Sequence, residues 1–92
     1  MITKEEARTR AIAYLHLRNR NYHEVDNENQ IAFNAKKQII YGEKKDELVD
    51  TYSVGYAVPA LVDFDLHFIT IDAHTGEVLY SISSTRWVEA YE

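Results

Sequence analysis

The chain has 92 residues, 46% of them apolar and 27% charged, with three glycines, one proline and no cysteine. That length holds one domain with one core, the composition is that of a globular chain rather than a disordered one, and the lack of cysteine excludes disulfides, zinc-thiolate sites and thiol catalysis. Fifteen acidic against ten basic residues leave a net charge of −5, which argues against nucleic acid as the main partner. No apolar run approaches the roughly 20 residues that cross a bilayer, and Met1 to Glu6 offers no signal-peptide core. A cytoplasmic setting without a membrane partner is therefore expected. Residues 1–42 carry seven basic and five acidic side chains, whereas residues 43–92 carry three and ten, so the molecule should have an acidic side.

The first predicted element is a helix. Thr3 and Glu6 stand in the T-x-x-E spacing of a capping box, and Ile2 can staple onto Ala7. Ala7, Ala11, Tyr14, Leu15 and Arg18 follow helical spacing, Ile12 widens the stripe, and Arg8, Arg10 and Arg20 are left for solvent. Asn19 to Asn21 should end it, because asparagine tolerates the left-handed cap conformation.

Residues 28–41 favour a second helix. Ile31, Ala35 and Ile39 recur at every fourth position, Asn27 or Asn29 supplies an N-cap, Glu28 suits the first turn, Lys36 and Lys37 suit the last turns, and Gly42 sits where a C-terminal glycine belongs. A short strand is the alternative, since Ile31 and Phe33 also alternate with Ala32.

Beyond Gly42 the pattern becomes extended. Glu43 to Glu47 reads as a solvated charged turn, and Tyr52, Val54, Tyr56 and Val58 alternate with small residues as in a half-buried strand that Pro59 must stop. Leu66 to Ile71 is apolar or β-branched at nearly every position, the mark of a central strand. Asp72 to Glu77 is a tight connection with Gly76 available for positive φ, and Val78, Tyr80 and Ile82 resume alternation, giving a hairpin over 66–82. Trp87, Val88 and Tyr91 are expected to fold back as a short tail. The expected fold is α+β, with two N-terminal helices packed on one face of a three- to four-stranded antiparallel sheet, and the sheet's uncovered face and edges favour a homodimer.

Two segments carry a resemblance. Ile39-Ile40-Tyr41-Gly42-Glu43-Lys44, read as closing a helix, resembles the Y-G element of small bacterial immunity proteins with a nuclear transport factor 2-like fold. Phe68 to Leu79 resembles the I-D-x-x-T-G-x-V-L hairpin that those proteins share with PepSY-type domains, and Tyr52-Ser53-Val54-Gly55 resembles their aromatic-x-V-x-G strand. The chain departs from them in having Tyr52 where they usually carry tryptophan, and 59–65 in place of a glycine-rich turn. The immunity resemblance implies a cystatin-like or nuclear transport factor 2-like α+β fold and a stoichiometric inhibitor of a toxin. The PepSY resemblance implies an inhibitory or binding module for peptidases. Neither supplies a catalytic residue.

His16, His23, His67 and His74 form no H-x-H or H-x-x-x-H pair, and Asp63 with Asp65 falls short of a calcium loop, so no metal or other cofactor is expected. Asp72 and His67 are the only candidates by type for acid-base work, and a catalytic or small-ligand domain would need a pocket between helices and sheet to unite such groups. The seven tyrosines are more informative, because their rings suit both cores and interfaces. Tyr52 and Tyr56 share one face of a strand beside Glu43, Asp46, Glu47 and Asp50, and acids around aromatic anchors form a surface that a basic partner, such as a toxin domain, would meet. The expected function is that of a non-enzymatic protein-binding module of the immunity type.

Overall fold

A computed structural model describes residues 1–19, 21–59, 61, 63–83 and, for the backbone alone, 88–89. One helix and six strands follow in order: α1 (Lys4–Leu17), β1 (Glu24–Val25), β2 (Ala32–Gln38), β3 (Leu48–Pro59), β4 (Phe64–Asp72), β5 (Val78–Ile82) and β6 (Val88–Glu89). The strands form one antiparallel sheet. β1 and β2 both pair with the same edge of β3, after which the order runs β4, β5, β6. Among the described residues the fold is therefore α+β with a single helix on a six-stranded sheet, not two helices on three or four strands.

α1 begins as its capping box dictates, with Thr3 accepting the Glu6 amide and Glu6 reaching back to the Thr3 amide. It ends at Arg18, and Asn19 takes φ 52° in the left-handed region. Ala7, Ala11 and Leu15 are buried. Two alanines at the contact let the helix axis lie close over Tyr52, Val54 and Tyr56 of β3 and Ile69 and Ile71 of β4, which share its core. Arg8 is not left to solvent: its Nε donates to the Asp26 carbonyl at 2.9 Å, tying the helix to the chain that follows β1.

The expected second helix is β2, and the reason lies in what the residues do locally and across the sheet. Asn27 does perform cap chemistry, since its side chain accepts the amides of Asn29 and Gln30 and Gln30 Oε1 accepts the Asn27 amide. These bonds close one turn and stop there, because Ala32 to Asn34 find partners in Ser53 to Thr51. Ala35, needed for a helical stripe, is exposed. Ile31 and Ile39 are both buried, yet an irregularity between Asn34 and Lys37 shifts the alternation and puts them on opposite faces of the sheet. Lys36 sits at the bulge with φ 49° and donates its amide to Asp50 Oδ1. Gly42, expected as a helix end, has φ 92° inside the loop joining β2 to β3.

The later strands agree with the alternation. Pro59 is the last residue of β3, and β4 lies between β3 and β5. The hairpin turns through 73–77, with Gly76 at φ 78° donating to the Asp72 carbonyl. Val88 pairs with Ile82, whereas Trp87 and Tyr91 lie outside the described residues.

Gly55 has a different role from Gly76. Its amide donates to Asp26 Oδ2 and its carbonyl accepts the Asp26 amide, both at 2.8 Å, so Asp26 carries the ladder around the corner between β1 and β2. A Cβ at Gly55 would stand 2.7 Å from Asp26 Oδ2 and 3.2 Å from the Phe68 ring. Gly55→Ala should therefore cost about 1–3 kcal/mol, and Gly76→Val roughly 1–2 kcal/mol from backbone strain alone. Urea unfolding measures both, and an unchanged midpoint for Gly55→Ala would show that the Asp26 carboxylate does not hold this corner.

Candidate functional site

The loop between β2 and β3 is organised around one buried carboxylate. Asp72, at the end of β4, is 3% exposed. Its Oδ1 accepts the amides of His74 and Thr75, and its Oδ2 accepts Lys44 Nζ, which reaches in from the loop. Glu77 Oε2 stands 3.8 Å from the same ammonium. Burial works to raise the Asp72 carboxyl, but Lys44 and the two amides outweigh it and leave it below the ordinary carboxylate range. The hydrogen bond to Asp72 correspondingly raises Lys44.

The loop backbone closes on itself. Asp46 donates to the Ile39 carbonyl at 2.8 Å, Ile39 donates to Glu47 at 3.0 Å, and Asp46 takes φ 72°. Because Lys44 turns inward, Glu43, Asp46 and Glu47 are left exposed with Lys45 on the outside. Among them stand Ile40, Tyr41 and Leu48, exposed by 49%, 44% and 65%.

This arrangement contains only part of the surface expected from sequence. Tyr52 and Tyr56 are 5% and 1% exposed. The Tyr52 hydroxyl donates to the Ile2 carbonyl at 2.9 Å, and the Tyr56 hydroxyl lies 3.3 Å from Ser81 Oγ. Both rings are core under α1 and cannot anchor a partner, because period-2 alternation marks a buried face without saying which face the helix covers. Asp50 is also committed internally, with Oδ1 on the Lys36 amide and Oδ2 3.0 Å from His74 Nε2. His74 first and the Lys36 amide second lower its carboxyl. Sequence reasoning missed Ile40, Tyr41 and Leu48 because the first two were placed at the end of an expected helix; their adjacency to the charged run was the available signal.

His67 and Asp72 are not brought together. His67 pairs with Tyr56 on the helix face, 5.3 Å between ring centroids, whereas alternation puts Asp72 on the far face with Lys44. The space between α1 and the sheet is filled by Leu15, Val54, Tyr56, Ile69 and Ile71. A groove of about 510 Å³ does run along the outside of the helix, between Arg8 and Ile12 on one side and Tyr22, His23, Glu24 and Asn27 on the other. Among the described residues, no three histidine, aspartate or glutamate side chains gather as a metal site, and no helix is long and apolar enough to cross a membrane.

Comparison with known protein families, characterised proteins and solved structures finds no match. The segments 39–44, 68–79 and 52–55 lie next to one another in the sheet and its loops. Lys44 of the first bonds Asp72 of the second, and Tyr52 of the third pairs with Ile71 of the second. The Y-G element follows a strand here, not a helix.

The ion pair sets a pH signature. The lowered Asp72 carboxyl contributes stability that is present above about pH 4, where the unfolded carboxyl has lost its proton, and lost as pH falls through the lower folded value. The raised Lys44 contributes fully below about pH 10 and loses its share as pH rises through its folded value. Urea midpoints should thus be level between these limits and fall in acid, and Asp72→Asn should flatten the acid limb. An acid limb equally steep in Asp72→Asn would assign it to another carboxylate.

Proposed function

We propose that the protein is a non-enzymatic protein-binding module that engages a basic partner through the loop joining β2 to β3. The observation that carries this reading is the exposure of Ile40, Tyr41 and Leu48 beside the exposed side chains of Glu43, Asp46 and Glu47. Large apolar side chains next to three exposed acids, with Lys45 the one exposed base among them, combine the two parts of a docking surface: the charge speeds encounter and the apolar groups slow escape. The loop is also held in shape by Lys44 and Asp72, so little ordering entropy is lost on binding. The separation of His67 from Asp72 and the filled core under α1 favour binding over catalysis.

In its most concrete form the proposal is an immunity-type inhibitor acting in the cytoplasm on a basic toxin domain, with a fold of the nuclear transport factor 2-like kind. It rests on the 39–44, 52–55 and 68–79 segments and on the contacts that the first, through Lys44 and Asp72, and the second, by strand pairing, make with the third.

Biolayer interferometry against the purified product of the neighbouring gene tests this. Glu43→Lys with Glu47→Lys should slow association about tenfold at low salt and flatten its salt dependence. Asp46 is kept because its positive φ suits aspartate. Tyr41→Ala and Leu48→Ala should speed dissociation by about tenfold without lowering the thermal midpoint. Failure of the neighbouring product to bind would overturn the immunity reading, and binding indifferent to all four substitutions would overturn the loop as its surface.

A further inference from the structure

Two unbroken stretches of described chain, 8–12 in α1 and 22–30 after it, supply the walls of the groove beside the helix. Its volume of about 510 Å³ falls within the roughly 300–1,000 Å³ of small-molecule sites. Ile12 and Val25, both half-buried, give it an apolar stretch, and Val25 also packs on the core. β1 lines it and pairs with Tyr56 and Ala57, toward the other end of β3 from the 39–48 loop.

The polar side chains of this groove have their acceptors spent and their donors left over. Arg8 is half-buried and its Nε is fixed on the Asp26 carbonyl at 2.9 Å, while its two terminal amino groups have no partner among the described residues. Asn27 Oδ1 accepts the amides of Asn29 and Gln30 at 2.9 and 3.2 Å, and Gln30 Oε1 accepts the Asn27 amide at 3.0 Å. A backbone N–H donates only to an acceptor, so both side-chain oxygens are identified and occupied, and Asn27 Nδ2 and Gln30 Nε2 remain as donors. The Tyr22 hydroxyl is 3.1 Å from His16 Nε2, and His23 is stacked on Phe64.

A guanidinium anchored by Nε presents its planar fork in a fixed orientation, and that fork matches a carboxylate. The negative charges nearby limit how much more the groove accepts. Asp26 Oδ2 is taken by the Gly55 amide, but Glu24 also lines the groove, so one negative charge on a ligand meets Arg8 and a second meets Glu24.

We propose that the groove between α1 and residues 22–30 binds a small organic monocarboxylate with an apolar chain. Its carboxylate lies on the Arg8 fork and the side-chain amides of Asn27 and Gln30, and its chain runs along Ile12 and Val25.

The test is a nuclear magnetic resonance titration of the full chain with hexanoate. Saturable shifts should centre on 8–12 and 22–30, and uncharged hexanamide should bind at least about tenfold more weakly. Asn27→Asp combined with Gln30→Glu keeps the oxygens that hold the turn and replaces both donors by carboxylates. Affinity should fall at least about tenfold in that double variant with the resonances of the sheet unmoved. Arg8→Met, which also gives up the Asp26 bond, should abolish binding, Glu24→Gln should raise affinity about threefold, and Glu47→Lys should leave it unchanged. Equal binding of hexanamide, preference for doubly charged hexyl phosphate, unchanged affinity in the double variant or in Arg8→Met, shifts centred on the 39–48 loop, or no saturable shift by about 50 mM hexanoate would each overturn the proposal.

Discussion

A carboxylate buried at the end of a strand has to be paired, and the way Asp72 is paired organises one whole end of this molecule. Its two oxygens tie the hairpin turn, through the amides of His74 and Thr75, to the loop between β2 and β3, through Lys44. The next residue extends the junction: Ala73 donates to the Asp50 carbonyl and accepts the amide of Ile2. Three pieces of chain distant in sequence are thereby fixed against one another at the start of α1. Lys44 turns toward Asp72 while staying partly exposed, and Glu43 and Asp46 near it face outward.

Legibility in the sequence followed how local each interaction is. The capping box of α1 and the hairpin at Gly76 depend on residues within a few positions, and both were readable. Residues 28–41 were not, because their local signals are real but belong to a single turn at Asn27, and the pairing of Phe33 with Tyr52 joins residues far apart in the chain. The bulge at Lys36 made this worse by letting two isoleucines eight positions apart be buried on opposite faces. For the candidate surface, the charged run was visible, and Tyr52 and Tyr56 do share one face of β3, but α1 covers that face. Alternation separates Tyr52 and Tyr56 from Ser53 and Gly55 correctly, but only the packing of α1 shows that the tyrosine face is core.

The two ends of β3 then present different chemistry with the same sign. At its start, a preorganised loop offers carboxylates with apolar neighbours; at its end, β3 pairs with Phe64, Asp65 and Leu66 of β4, which carry exposed apolar side chains on either side of an acid. The titratable groups with shifted values, Lys44, Asp50 and Asp72, are held by one another, by His74 or by nearby backbone amides.

The direct test of the central role of the Lys44 and Asp72 pair is amide hydrogen exchange in the intact chain and in Lys44→Met. The Asp46 amide, which donates to Ile39 inside the loop, reports the loop, and the Tyr56 amide in β3 reports the sheet. Loss of protection at Asp46 with Tyr56 unchanged is the predicted result, because the loop would lose its internal tether while the sheet keeps its core. Protection at Asp46 equal to that of the parent chain would contradict the account, since the loop would then hold its shape without the ion pair.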